Sequence, residues 1–421
     1  MKRGELINKV QKRTQSALAQ WGLKHNPFMK TPPPEHIRRE VFTDRLTEME
    51  MLIQAVLANP LNILVFGTYG IGKTIFVLES LSELSAGTKL LPIYTTLEGN
   101  KPADFNLCVL LALSNALRAE NNQAEKIYNV LTGEIHSVEI EKEGGLQIES
   151  SNLLPVSVTV GGKGTKSHSV QRDAVPHPQH ELEKLLDIAQ KEYTRIIIGV
   201  DEIDKCDSQT FQALLAGVRA TLDLECSFVL TGGLWAPWLT QNPQTSVYGA
   251  FGEEIKLEPF DFPTTREVIV AYLNSARHDE SDTTSPFLEK TVEYIFQQSK
   301  GIPRQFNQLC YKAINGAMRT GARHIDTPRL IKALEEAGYE KYSSLQQNER
   351  YIVEVIRHHG GVLSDETLEA LQELGASTVL DIYPTLEKLV QEDVLIKQED
   401  TRTVRYELGP TLRDLRLEES T

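Results

Sequence analysis

The chain has 421 residues, too many for one compact domain, and a span of roughly 150 residues per domain suggests about three. Hydrophobic residues make up 40% and charged residues 24%, a globular balance that excludes a disordered or fibrous chain. Lys and Arg number 44 against 58 Asp and Glu, and a net charge of −14 excludes indiscriminate coating of nucleic acid. The charge is uneven. Residues 1–39 carry nine Lys or Arg and two acids, Glu5 and Glu35, a net of +7 that leaves −21 on residues 40–421. Cys108, Cys206, Cys226 and Cys310 are scattered with no CxxC pair, which argues against a zinc knuckle or a disulfide framework and for a reducing cytosol. The most apolar stretch, Leu107 to Leu117, is too short to span a membrane, and the start of the chain lacks the apolar run of a secretory signal. A cytoplasmic location is expected.

Residues 1–23 read as a short amphipathic helix closing at Trp21-Gly22, with Lys2, Arg3, Lys9, Lys12 and Arg13 opposed to Leu6, Ile7 and Val10. Asn26-Pro27-Phe28 and Pro32-Pro33-Pro34 then read as a linker, because neither a helix nor a central strand tolerates them. A helix capped by Asp44 runs to Leu57 and stops at Asn59-Pro60. A buried strand over 62–66 leads into a glycine-rich turn and a helix over 73–84. Next come a strand over 90–95 and an apolar helix over 103–117, with more helix to Leu131. A strand over 195–200 ends in Asp201-Glu202, and one over 227–230 ends in Thr231-Gly232-Gly233. Short apolar strands alternating with helices predict a parallel sheet with crossover helices.

Residues 133–176 break that rhythm. Val138/Ile140, Leu146/Ile148 and Val156/Val158/Val160 alternate with polar residues around Gly144-Gly145 and Gly161-Gly162. This predicts one or two β-hairpins inserted in the core, either a surface elaboration or a contact loop for a partner. Residues 263–345 read as helices only, over 265–276, 285–298, 303–321 and 327–337. Residues 346–421 read as helices over 349–358, 365–374 and 378–392, then strands over 394–398 and 403–408. That is the order of a winged helix-turn-helix.

The sharpest signal is Gly67-Thr68-Tyr69-Gly70-Ile71-Gly72-Lys73-Thr74, which matches G-x-x-x-x-G-K-[ST] between a strand and a helix. Glycines let backbone N–H groups curl around phosphate oxygens, and the helix start, through Ile75, adds partial positive charge. Lys73 is placed to reach the β- and γ-phosphates and Thr74 to ligate Mg²⁺. About 130 residues on, Asp201 ends a strand at the sheet edge where ligands bind in open α/β folds, as a second holder of Mg²⁺. Glu202 is placed to orient and polarise the attacking water. Asp204 and Asp207 read as caps of the next helix.

Together these residues resemble the AAA+ family of ATPases, over roughly residues 40 to 345. The resemblance implies an α/β P-loop core with a parallel sheet, a helical lid, bound ATP and Mg²⁺, and hydrolysis of the β–γ phosphoanhydride. It implies the layout 1–39 basic arm and linker, 40–262 core carrying the insert 133–176, 263–345 lid and 346–421 winged helix. Thr231 stands where the family's first sensor reads the γ-phosphate. Gly301-Ile302-Pro303-Arg304 resembles the second sensor, with Arg304 reaching the same phosphate and the nucleotide held between core and lid. On the residues alone, Thr231 also fits a strand-end hydroxyl, and Arg304 an ordinary charge at a helix start, where the dipole disfavours a cation. Asn26-Pro27-Phe28 through Phe42-Thr43-Asp44-Arg45 resembles the strip that borders the adenine in origin-recognition initiator ATPases. The Gly-x-Pro-Arg stretch also resembles the AAA+ ATPases of bacterial transposition and secretion modules. One departure is that no arginine lies between Ser227 and Thr265, where family members place a trans-acting finger. Arg219 is the nearest substitute.

This reading makes the chain a nucleotide-controlled switch, DNA-associated and forming nucleotide-dependent homo-oligomers, in replication, transposition or genome defence. The competing reading is a STAND-type signalling ATPase whose winged helix is a brake or a protein docking module. Residues 346–421 carry eight Lys or Arg and sixteen acids, and the candidate recognition helix sets Asp381, Glu387 and Glu392 against Lys388 alone. DNA affinity depends on phosphate neutralisation, so this tail suits a protein partner better, although Arg402 and Arg405 could grip a backbone. DNA contact is expected instead through the basic arm and the insert tip, Lys163, Lys166 and Arg172 with His168 nearby. Deleting residues 1–15 is therefore expected to weaken duplex DNA binding far more than deleting residues 346–421, measured by fluorescence anisotropy across a salt series.

Overall fold

The computed structural model describes residues 3–28, 38–39, 42, 44–59, 61–97, 99–132, 153–160, 163–171, 175, 177–203, 208–359, 362–363, 371, 379–399, 404–413 and 415. They form two compact units. One comprises residues 45–67 and 72–257. The other comprises residues up to 44, the tip of the glycine turn over 68–71, and everything from Glu258 onward.

The first unit is built on a seven-stranded sheet in the order β4-β3-β2-β5-β6-β1-β7. Its strands are β1 (Ile63–Phe66), β2 (Leu90–Thr96), β3 (Leu153–Val160), β4 (Lys163–Gln171), β5 (Arg195–Asp201), β6 (Ser227–Gly232) and β7 (Glu253–Lys256). The pairs β2–β5, β5–β6, β6–β1 and β1–β7 are parallel, as the alternation of strands and helices requires. The central strands are mostly apolar, as strands of a parallel sheet covered on both faces are, and every residue of β6 is buried. The helix Pro102–Leu117 is buried without a break from Asp104 to Ser114, so its apolar residues run all round it instead of in a stripe. It packs against β2 and the helices Asn122–Thr132 and Pro178–Ala189.

Three sequence expectations change here. The helix Leu46–Ala58 is preceded by Arg45 in a left-handed conformation, not capped by the Asp44 carboxylate. Strand β7 was not anticipated, because Glu-Glu-Ile-Lys buries only Ile255 and carries no apolar run. In the insert, the strand around Val156 pairs with residues 163–171 across Gly161-Gly162. The hairpin is not a separate surface feature, because β3 lies antiparallel on β2 and extends the main sheet. The proposed Val138/Ile140 and Leu146/Ile148 strands lie outside the described residues, as do Asp204 and Asp207.

The second unit is mostly helical. α1 (Arg3–Gln20) packs on Pro303–Thr320, and the other helices between Phe262 and Ser344 are Phe262–Ala276, Glu289–Ser299 and Thr327–Ser344. Asp261 and Asp326 cap two of them, accepting from the N–H of Thr264 and Arg329 at 2.9 and 3.0 Å. Residues 24–28 are not a loose linker. The Asn26 amide donates to Asn315 Oδ1 at 3.1 Å, and Phe28 is buried 5.4 Å from the Tyr272 ring and 6.0 Å from Phe287. The Trp21 indole donates to the Arg323 carbonyl at 3.0 Å, closing the arm onto the helices.

In the tail, Gln347–His358 and Val379–Gln391 pack with a small antiparallel sheet in the order β8-β10-β9, from Val362–Leu363, Val404–Leu408 and Leu395–Glu399. The two-residue β8 was not anticipated. Of the helix expected over 365–374, only Leu371 is described, and it is helical. Buried Glu349 closes a capping box with Gln346 and takes Lys388 at 2.5 Å. Burial alone would raise its carboxyl, but the Lys388 ammonium and the Gln346 N–H outweigh that and hold it below the usual range. Among the described residues, no helix is long and apolar enough to cross a membrane.

One backbone position is demanding. Gly301 has φ 73°, and a Cβ there would lie 1.9 Å from the Phe260 carbonyl oxygen. Gly301→Ala combines a left-handed residue with a backbone clash and is expected to cost at least about 1–3 kcal/mol. The check is the urea midpoint, which should fall while the m-value stays unchanged.

Candidate functional site

The glycine turn leaves β1 and enters the helix Lys73–Leu84 through Gly72, at φ 101°, a conformation that charges any side chain a strain cost. The N-cap is a glycine, so it brings no capping side chain of its own to the first N–H groups of the helix. The backbone N–H groups of the first turn, which includes Lys73, Thr74 and Ile75, stand at the positive end of the helix dipole, which favours an anion. The Lys73 side chain is buried and its ammonium donates to the Gly67 carbonyl at 3.0 Å, so the cation is held within the turn. The Ile71 N–H closes the tip onto Thr68 at 3.2 Å.

Arg304 meets the tip of this turn. Its backbone N–H donates to Gly70 at 3.2 Å, and its guanidinium lies 4.8 Å from the Tyr69 ring centroid. The same guanidinium pairs with Asp393 at 3.3 Å and donates to the Gln391 carbonyl at 3.4 Å. Tyr69 itself packs on the apolar core of the tail. Arg304 therefore has partners at the site that sequence reasoning, which treated the tail as a separate module, did not anticipate.

Asp201, Glu202 and Thr231 come together at the ends of β5 and β6. Asp201 is 2% exposed. Its Oδ1 accepts from the Thr231 hydroxyl and the Glu202 N–H, each at 2.8 Å. Its Oδ2 accepts from the Tyr94 hydroxyl at 2.8 Å. Sequence reasoning missed Tyr94. The available signal was a hydroxyl-bearing residue near the end of a buried parallel strand. Glu202 has φ 67°, a left-handed conformation that costs a non-glycine residue about 1–3 kcal/mol and turns the chain out of the sheet.

The donor set suits a hard cation. Thr74 and Asp201 offer hydroxyl and carboxylate oxygen, with no thiolate or imidazole. Among the described residues, no group of three or more His, Cys, Asp or Glu forms a dedicated cage. Mg²⁺ needs none, because it keeps waters and shares phosphate oxygens while using one or two protein ligands.

Other candidates fare differently. Arg219 donates to its own unit, to the carbonyls of Tyr248 and Gly249 at 3.4 Å each, and lies 3.5 Å from Asp223. In the arm, Lys12 and Arg13 are exposed, but so are Ile7 and Val10, and the buried face begins at Ala17. His168 is not at the insert tip. Its Nδ1 lies 3.3 Å from the Tyr128 hydroxyl, with Arg118 4.1 Å from that tyrosine's ring centroid. Arg172, Arg402 and Cys206 lie outside the described residues. Lys388, the one cation of the tail helix, pairs with Glu349. Cys108, Cys226 and Cys310 are buried free thiols. Desolvation pushes the first two up to about 12 and the third well above its usual value, so none is a ready nucleophile or metal ligand.

Residues 40–231 match the KAP family P-loop domain. No curated protein matches the chain. Among solved structures, the ORC1 protein of Aeropyrum pernix in complex with DNA is 17% identical, aligning 88% of this chain with 93% of that one at a TM-score of 0.50. ORC of Drosophila bound to DNA is 12% identical, with 94% and 89% covered and a TM-score of 0.38. The RuvB Holliday junction branch migration motor of Thermotoga maritima is 15% identical, with 88% and 93% covered and a TM-score of 0.40. At such identities only the first likeness carries weight, and it concerns the fold. The chain therefore carries over residues 40–231 a segment that matches the KAP family P-loop domain, in a mixed α/β fold like that of the Aeropyrum pernix ORC1 protein.

Proposed function

We propose that the chain binds ATP with Mg²⁺ at Gly67 through Ile75 and hydrolyses it, acting as a DNA-associated switch. The observation that carries this reading is the cluster of buried Asp201 and Thr231 with the Glu202 N–H, on the sheet that also holds the glycine turn. In this reading Gly67, Thr68, Tyr69, Gly70, Ile71 and Gly72 wrap the phosphates, and the first N–H groups of the following helix donate to them. Lys73 moves from the Gly67 carbonyl to the β- and γ-oxygens. Thr74 and Asp201 would hold Mg²⁺, which would supply positive charge against the phosphate oxygens. Glu202 aligns the attacking water and takes its proton. Thr231, already hydrogen-bonded to Asp201, reports the state of the γ-phosphate, and Arg304 is a second contact to it. The strained Glu202 backbone supports this role, since such conformations cluster at active sites.

DNA association is supported by the ORC1 likeness, whose structure is a complex with DNA, and by the exposed Lys12 and Arg13 of the arm. The proposed layout is core 40–262 with the insert 133–176, lid 263–345 and a winged helix over 346–421 that contacts a protein partner. Nucleotide-dependent self-assembly in the cytoplasm completes the proposal. ATP turnover should rise with duplex DNA and lose that response as salt increases, and Glu202→Gln should lower kcat by about 10²-fold or more. Unchanged turnover in Glu202→Gln would sink the hydrolysis assignment.

A second reading is favoured by one specific contact. Arg304 pairs with Asp393 of the tail while covering Tyr69 of the phosphate turn, as a STAND-type brake would require. Asn accepts the left-handed backbone of Asp393, φ 60°, so Asp393→Asn removes the ion pair and leaves the turn intact. If the tail restrains the switch, this variant turns over ATP about 5- to 150-fold faster without DNA, the usual span of a coupling free energy. Turnover at the parental rate excludes the brake.

A further inference from the structure

We infer that Tyr94 is a positioning residue that aims the Asp201 carboxylate at its cation. The inference rests on the reading of Asp201 as a metal holder. A carboxylate offers about four lone-pair sites. Three of those on Asp201 are occupied by the Thr231 hydroxyl, the Glu202 N–H and the Tyr94 hydroxyl, which leaves about one for a cation. The direction of that remaining site depends on the twist of the carboxylate. Thr231 and Tyr94 set the twist from opposite neighbours of β5, one gripping each oxygen.

The sheet register explains why a tyrosine can do this. Tyr94 pairs with Gly199, and Thr96 pairs with Asp201, so Tyr94 stands two residues short of the carboxylate it touches. Two strand residues span about 6.6 Å, close to the reach of a tyrosine side chain lying along the sheet face. Gly199 lies beside that path and under the neighbouring helix. A Cβ there would lie 3.6 Å from Tyr94 Cδ2 and only 2.9 Å from both Val77 and Leu81 of the helix above. Tyr94 is 4% exposed, so its hydroxyl needs a protein partner, and it takes Oδ2 rather than a backbone carbonyl. Phe at this position would keep the ring packing and release Oδ2, leaving the carboxylate fixed at one end only.

The test measures ADP affinity of the full chain in EDTA and at saturating Mn²⁺, with bound Mn²⁺ read by paramagnetic resonance, for the parent, Tyr94→Phe and Asp201→Asn. Tyr94→Phe is expected to keep metal-free ADP affinity within about twofold and to weaken Mn²⁺ binding by about 10- to 100-fold, as loss of a ligand's orienting partner does. If Tyr94→Phe holds Mn²⁺ as the parent does while Asp201→Asn does not, Tyr94 only packs and the inference fails. It fails equally if metal-free ADP binding falls in step with Mn²⁺ binding, since the loss is then structural. If Asp201→Asn holds Mn²⁺ normally, the metal assignment of Asp201 fails first and takes this inference with it.

Discussion

A buried carboxylate must find donors or give up its charge, and much of this site follows from how Asp201 meets that demand. Its three donors come from β2, from β6 and from the residue that follows it on β5. Each strand end is thereby tied to one point on the sheet. The parallel order β2-β5-β6-β1 brings those ends together, because parallel strands finish on the same edge. β1 finishes there too and delivers the glycine turn. The left-handed Glu202 is the local cost of turning the chain sharply once Asp201 has been seated.

The phosphate turn answers a different constraint. Gly72 at the helix start offers no capping side chain, and Lys73 is folded inside with its ammonium on the Gly67 carbonyl. A cation and a helix N-terminus in one small volume favour an anion with several oxygens. The tip of the same turn makes its contacts with the helical unit, through Gly70 and Tyr69 against Arg304. Arg304 in turn shares its guanidinium with Asp393 and the Gln391 carbonyl. A residue at the start of the helix Pro303–Thr320 thus touches the tip of the glycine turn and the tail together. That connection is what a nucleotide-dependent switch and a tail-imposed brake would both use.

How much could be read without the fold varies by feature. The glycine turn, the strand ending in Asp201 and Thr231 at the end of β6 were all legible, because motif spacing and continuous apolar runs are local signals. β7 escaped because an edge strand that buries one residue leaves no apolar run. The hairpin was visible as alternation, but its attachment to β2 was not, since antiparallel addition to a sheet edge is a long-range pairing. The Asn26-Pro27-Phe28 segment read as a linker because proline rules out regular structure there. It is nevertheless anchored, through the Asn26 amide and the buried Phe28 ring.

The amino-acid order alone determined the chemistry on offer: a phosphate cradle, two acids at the end of a strand, a basic arm and an acidic tail. Those depend on residue type and short spacing, which the chain carries wherever it folds. The tertiary structure decided which groups act on one another. Tyr94 reaches Asp201 across 107 positions of sequence, and Arg304 meets Asp393 across 89. Such pairs depend on strand register and domain packing, set by the burial of whole faces, and no local pattern encodes them.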